Sequence, residues 1–324
     1  MPKALWITGE KKCALRQDEL SADNALIEVE MLYSGISRGT EALVFAGSVP
    51  KAEYERMRCP HQGGDFPFPV KYGYAAVGRI LSGERKGELV FALHPHQDRF
   101  ALPAGELHAL PAGLPPERAV LAANMETALN IVWDSKAGPG DRIAVIGAGV
   151  VGALTAWLAA RLPGAQTTLV DINPARQSLA GALGVVFAQP DRAPADCDVV
   201  IHASASAAGL RTALDCAGVQ ARVVEASWYG DRSVEIGLGG AFHSRRLQLV
   251  SSQVGSIPPD RTARWTYARR LSTALQLLAD DDALDTLISG ETPFDTLDRD
   301  YAAILGNPET LCHRIRYEPS TKGR

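Results

Sequence analysis

The chain has 324 residues, 46% hydrophobic and 22% charged, with a formal net charge of −4 at pH 7. That is ordinary globular composition, at a length suited to two domains of about 100–200 residues each. The slight acidity leaves no global basic field for nucleic acid or an anionic membrane, and no apolar run approaches the roughly 18–20 residues that span a bilayer. A small molecule is therefore the expected partner. The start, Met1-Pro2-Lys3-Ala4-Leu5-Trp6, lacks the basic-then-apolar layout of a secretion signal. Cys13, Cys59, Cys197, Cys216 and Cys312 form no CxxC pair, so neither a disulfide framework nor a zinc ribbon is expected, and a reducing, cytoplasmic setting is.

Up to about residue 120 the chain reads as short strands broken by glycine and proline. Ala25–Leu32, Tyr74–Leu81 and Glu88–Leu93 are the clearest, with a tight connection at Gly83–Gly87. Residues 46–69 carry Pro50, Pro60, Pro67 and Pro69 and read as a long surface excursion. From Ala119 the texture changes. Ala119–Trp133 is apolar at helical spacing and stops before Gly138-Pro139-Gly140. Arg142–Ile146, a helix to Leu162, Thr167–Val170, Asp198–Ile201, a helix near Leu210–Cys216, Arg222–Glu225 and Leu247–Ser251 follow. Short, continuously apolar strands separated by helices predict a parallel sheet covered on both faces. Trp265, Ala268, Leu271, Leu275 and Leu278 mark an amphipathic helix ended by Asp280-Asp281-Asp282. One more helix and a strand at Arg314–Tyr317 close the chain.

Arg142–Ile146 runs into Gly147-Ala148-Gly149-Val150-Val151-Gly152. This GxGxxG stands between a strand and a helix, and a second strand ends in Asp171, near the roughly 20-residue spacing expected of a ribose-binding carboxylate. Gly147 permits the tight turn, Gly149 lets a pyrophosphate approach the backbone, and Gly152 lets helix and strand pack. The helix that opens here aims unpaired amides and its positive dipole end at the phosphates. Asp171 accepts ribose hydroxyls and repels a 2′-phosphate, which favours NAD(H); NADP(H) is the less favoured cofactor, although Arg176 could tolerate that phosphate. Asp171 also suits the N-cap of a helix beginning at Ile172-Asn173-Pro174.

With this unit placed behind a β-rich region, the sequence resembles the medium-chain dehydrogenase/reductase superfamily over residues 3–318. The resemblance rests on Ser34-Gly35-Ile36-Ser37-Arg38-Gly39-Thr40-Glu41, on Tyr72-Gly73-Tyr74-Ala75-Ala76-Val77-Gly78, on the fingerprint with Val170-Asp171-Ile172-Asn173, and on Phe242–Gly255. It implies an α/β protein: a GroES-like β-rich catalytic domain of residues 1–123 and 256–324, and an inserted Rossmann domain, a doubly wound parallel sheet, of residues 124–255. The active site would lie in the cleft between them, and a homodimer follows by analogy. Ser37, Tyr74 and Ala75 stand where the zinc alcohol dehydrogenases carry a cysteine, a histidine and a glutamate, and the remaining ligand would fall near Ala122-Ala123. None supplies a zinc ligand, and the four-cysteine lobe for structural zinc is absent. No catalytic or structural zinc is therefore expected. The nearest branch is a zinc-lacking one beside the bacteriochlorophyllide hydroxyethyl dehydrogenases, which share the ISxGTE motif.

Hydride transfer to a carbonyl builds charge on oxygen and needs a proton source. By motif position, Thr40 matches the relay hydroxyl of the alcohol dehydrogenases, Tyr74 could donate from the vacated ligand position, Arg38 could stabilise the oxyanion, and His94 falls where the family lines its substrate pocket. Each has a plainer reading. Tyr74 could simply fill the metal hole, and Arg38 could pair with Glu41 or hold the pyrophosphate. His94 and His96 alternate on a strand, so at most one faces the cleft. Cys59 and His61 make half a metal site at most. Thr127, Ser227 and Ser251–Gln253 match nicotinamide-contacting segments, while Trp228-Tyr229 is either an aromatic wall or packing. The leading expectation is a zinc-independent, NAD(H)-dependent alcohol dehydrogenase or carbonyl reductase. A quinone or enone reductase and a catalytically inactive dinucleotide-binding sensor are the alternatives.

Overall fold

A computed structural model describes residues 1–20, 23 and 25–318. The chain divides into two compact units, Met1–Ala123 with Leu275–Arg324, and Asn124–Ala274. The boundary expected at 256 thus falls at 275. Buried Arg270 keeps the intervening residues with the second unit: its Nε donates to Glu126 Oε1 at 3.0 Å, and its other nitrogens reach Asn130 Oδ1 and the Val254 carbonyl. Trp265 packs on Trp133, with ring centroids 4.5 Å apart.

In the first unit, Ile27–Ser37 lies antiparallel to Ala76–Ile80 and to Cys312–Arg316, so both ends of the chain share one sheet. The order is Ile288–Pro293, Cys312–Arg316, Ile27–Ser37, Ala76–Ile80, Leu89–Ala92, His108–Ala109, with Arg99–Leu102 also on Ile27–Ser37. Val29, Met31, Ile36, Val77, Phe91 and Ile315 are all fully buried on it. Each such side chain stabilises the fold by about 1.5–3 kcal/mol relative to exposure. The strand expected to end at Leu32 continues to Ser37 because Cys312–Arg316 covers its second half, pairing Ser37 with Cys312. Segment 46–69 is irregular but not a free excursion: Val49, Cys59 and Phe66 are buried, and Gly63–Gly64 pairs with Val70–Lys71 beside the hairpin Lys3–Gly9, Lys12–Gln17.

The second unit is a parallel sheet ordered Val186–Ala188, Gln166–Val170, Arg142–Ile146, Cys197–His202, Ala217–Glu225, Gln248–Ser251. Strands grow outward in both directions from Arg142–Ile146. The order therefore reverses between Arg142–Ile146 and Cys197–His202, and in such sheets the crevice outside those two strand ends is where ligands bind.

Candidate functional site

The loop at this switch point uses its three glycines differently. Gly147 turns with φ +110°, and a Cβ there would meet the backbone of Ala203 and Ser204 at 2.8–2.9 Å. At Gly152 a Cβ would stand 1.9 Å from the Gly147 carbonyl oxygen, so helix Val150–Ala159 approaches the turn only because that carbon is missing. Around Gly149 nothing lies within 4 Å of the added carbon, which leaves open space over the helix N-terminus. Closed packing at two glycines and open space at the middle one is the arrangement that a pyrophosphate needs.

Asp171 closes the far side of the loop. Its Oδ2 accepts the Ala148 amide at 2.6 Å and its Oδ1 the Asn173 amide at 2.8 Å. The next helix begins at Arg176 with Ala175 as its cap, so Asp171 is not an N-cap. Each carboxylate oxygen holds one amide and keeps a further lone pair for a hydroxyl. Arg176 stands on the first turn of that helix, and Thr127 on helix Ala122–Ser135, both partly buried. The Ser227 hydroxyl accepts the Ala205 amide at 3.0 Å, tying together the loops after two adjacent strands. Tyr229 donates to Glu225 Oε2 at 3.1 Å and stacks on His202, which accounts for that aromatic ring by packing.

In the first unit, Ser37 and Thr40 flank Tyr74, and both hydroxyls favour its phenolate. Burial, reinforced by the charge of Glu41, pushes the phenol up to about 12. These three side chains come together because Ile27–Ser37 passes directly into helix Arg38–Phe45, while Tyr74 precedes the neighbouring strand Ala76–Ile80. Arg38 opens the same helix, partly buried.

Behind them lies a polar chain that pattern reasoning missed. Glu41, His96 and Ser34 have no solvent exposure. Glu41 Oε1 accepts the Ser37 amide at 2.7 Å, and its Oε2 accepts Tyr301 Oη at 2.7 Å and His96 Nε2 at 3.0 Å. His96 Nδ1 meets Ser34 Oγ at 2.8 Å, which meets Tyr317 Oη at 2.9 Å. A buried carboxylate persists only when so satisfied. Glu41 shares the inward helix face with Val44 and Phe45, so its burial follows from i, i+3, i+4 spacing. Its partners come from 55 and 260 positions away, and no local signal announces them.

His94, expected to line a substrate pocket, is buried among aromatic rings. Its ring is buried between Phe100, at 4.2 Å between centroids, and His61, at 5.7 Å, with Nδ1 at 2.9 Å from the Pro95 carbonyl. Burial pulls it down to about 3, so the ring is neutral. His61 itself pairs with Glu106 at 2.5 Å and not with Cys59. The Cys59 thiol, raised to about 12 by burial, takes the Gly73 amide. Among the described residues no group of three or more His, Cys, Asp or Glu is placed to hold a metal ion, and no helix is long and apolar enough to cross a membrane.

The chain is 26% identical over 200 residues to 2-desacetyl-2-hydroxyethyl bacteriochlorophyllide A dehydrogenase of Rhodobacter capsulatus, a match covering 56% of this chain and 59% of that protein. The match thus spans about three-fifths of the length of this curated relative. No protein-family model matches. Among solved structures, L-idonate 5-dehydrogenase of Escherichia coli superposes with a TM-score of 0.80 at 15% identity, covering 97% of this chain and 98% of that one. The 2R,3R-butanediol dehydrogenase of Bacillus subtilis does so with a TM-score of 0.77 at 18% identity, covering 99% and 100%. The chain has the fold of the medium-chain alcohol dehydrogenases, a GroES-like unit with an inserted Rossmann unit.

Proposed function

We propose that the chain is an NAD(H)-dependent oxidoreductase that moves a hydride between the nicotinamide and an alcohol or carbonyl substrate, without a catalytic zinc ion. The observation that carries this is the open space at Gly149 between the close-packed Gly147 and Gly152, with the Asp171 carboxylate fixed alongside. Gly147–Gly152 would hold the pyrophosphate and Asp171 the adenosine ribose, with Arg176 nearby; Thr127 and Ser227 would serve the nicotinamide end. When bound, the dinucleotide supplies or accepts the hydride.

The proton falls to this chain's own residues. The Tyr74 phenol stays protonated far above neutral pH and can donate to the oxygen on which charge develops. The Ser37 and Thr40 hydroxyls beside it would stabilise the phenolate left behind. Arg38, at the start of the same helix, adds positive charge near the cofactor or the oxyanion. Zinc does not suit the residues that stand where the family binds it. Ser37, Tyr74, Ala75 and Ala122-Ala123 offer no nitrogen or sulfur, and Cys59 is a single protonated thiol.

The test is steady-state oxidation of NADH and NADPH against a panel of ketones and aldehydes and, separately, enones and quinones, with zinc measured on the same preparation. Turnover of carbonyl compounds with NADH, by protein holding far less than one zinc per chain, is expected. Turnover of enones alone, or activity lost with a stoichiometric zinc ion, would overturn the reading.

A further inference from the structure

We propose that Ser204, His202 and Glu225 form a second catalytic site, in which Ser204 is a nucleophile toward small activated esters. His202 ends its strand with no exposure to solvent, and its Nε2 lies 2.7 Å from Ser204 Oγ. Its Nδ1 lies 2.8 and 3.0 Å from the two oxygens of Glu225, which ends the neighbouring strand. Nucleophile to base and base to carboxylate are both within hydrogen-bonding reach, the two relations by which serine triads are recognised on unrelated folds.

The direction of each hydrogen follows from its neighbours. A carboxylate only accepts, so Nδ1 carries the proton and Nε2 is left as the acceptor for Ser204. Ser206 Oγ accepts the Gly209 amide at 3.0 Å and donates to Ser204 Oγ at 3.0 Å. Ser204 therefore receives from Ser206 and gives to His202, which is the polarity a serine nucleophile requires. Burial would raise Glu225, but His202 and Ser227 hold it below the usual carboxylate range, and Tyr229 donates to it as well.

Sealed from solvent itself, His202 reaches through Nε2 to an exposed serine at the switch point of the sheet. Ser204 also sits on a strand–turn–helix corner: Ala205 has φ +51°, and helix Ala207–Cys216 follows with Ser206 as its cap. Of the first amides of that helix, Gly209 is held by Ser206; the Ala207 and Ala208 amides, which lack acceptors within the helix, are the ones that would receive an oxyanion.

In the reaction, Ser204 Oγ bonds to the ester carbonyl carbon as its proton passes to His202 Nε2. The bond to the alcohol oxygen then breaks, and His202 returns the proton to the leaving alcohol. Water repeats the sequence on the acyl-serine and releases the carboxylic acid, with no net oxidation.

The experiment treats the dinucleotide-free protein with a fluorophosphonate and maps the adduct by mass spectrometry; p-nitrophenyl acetate hydrolysis is followed in parallel. A single adduct on Ser204 is expected, with hydrolysis falling about 10³-fold in Ser204→Ala and His202→Gln and at least about tenfold in Glu225→Gln. Melting curves establish that each variant is folded, and mapping of the unaltered chain stands even if a variant is not. Absence of an adduct, an adduct on another residue, or ester hydrolysis unchanged in folded Ser204→Ala would overturn the proposal.

Discussion

The two units hold their polar groups in opposite ways. In the second, Asp171, Ser204 and Ser227 stand at the ends of parallel strands, where the order of the sheet reverses, and Gly149 keeps the space before them clear. In the first, Glu41, His96 and Ser34 are sealed inside, with Ser37, Thr40 and Tyr74 beside them. A glycine loop proposed to hold a cofactor works by what it omits, here the side chains at Gly147, Gly149 and Gly152. A metal site works by what it supplies. On the proposed reading, where Ser37, Tyr74 and Ala75 take the place of metal ligands, the buried polar atoms behind them have to be satisfied from elsewhere in the fold, as Glu41 and His96 are.

The comparison breaks most violently at Gly152. In Gly152→Val a carbon would stand 1.9 Å from the Gly147 carbonyl oxygen, with only backbone to give way. A stability loss of about 3 kcal/mol or more is expected, with NADH binding weakened at least about 100-fold, read by a thermal melt and by NADH fluorescence titration. Normal NADH binding by this variant would remove the loop from the cofactor site. In the first unit the corresponding change is Tyr74→Phe, which keeps the ring and deletes the proton. A fall of about 10²–10³ in kcat is expected, with the NADH Kd unchanged. An unaltered kcat would reduce Tyr74 to a filler of the metal hole.

How far each unit was legible in the sequence follows from the same contrast. Gly147, Gly149, Gly152 and Asp171 lie within one strand–helix–strand stretch, so spacing alone was enough to single them out, and that stretch forms at the centre of the parallel sheet. Ser37, Thr40 and Tyr74 were reachable only by matching motif positions, because nothing local brings residue 74 to residue 37. The Glu41–His96–Tyr301 cluster and the Ser204–His202–Glu225 cluster escaped altogether. Their members lie on different strands or at opposite ends of the chain, and hydropathy says nothing about which buried polar atoms meet. His94 presents the converse contrast. Its motif position suggested a pocket, whereas its contacts with Phe100 and His61 make it part of the packing.

That difference has a pH signature. His94 titrates at about 3 in the folded chain, against an ordinary value of 6.5. Between those values the unfolded chain binds a proton that the folded chain excludes, so stability falls as pH drops from 6.5 toward 3. By pH 4 the His94 contribution reaches about 3 kcal/mol. Urea unfolding of His94→Phe should therefore show a flatter acid limb than the unaltered chain, with kcat within about twofold. A kcat collapse with an unchanged acid limb would return His94 to the catalytic group.

The smallest effect probes cofactor choice. Asp171→Asn keeps the shape of the side chain and one of its two amide contacts, but it removes the charge and turns one acceptor into a donor. A ribose 2′-hydroxyl then loses an acceptor, and a 2′-phosphate loses its repulsion. NADH affinity is expected to fall about tenfold and NADPH affinity to rise about tenfold, a relative shift of about 2.7 kcal/mol measured by parallel titrations. The gain for NADPH should vanish again in Asp171→Asn combined with Arg176→Ala, if Arg176, on the first turn of the following helix, is what receives the 2′-phosphate. A change of less than twofold in the ratio would mean that Asp171 serves only the Ala148 and Asn173 amides. The loop would then select its cofactor by some group other than the carboxylate that completes its fingerprint.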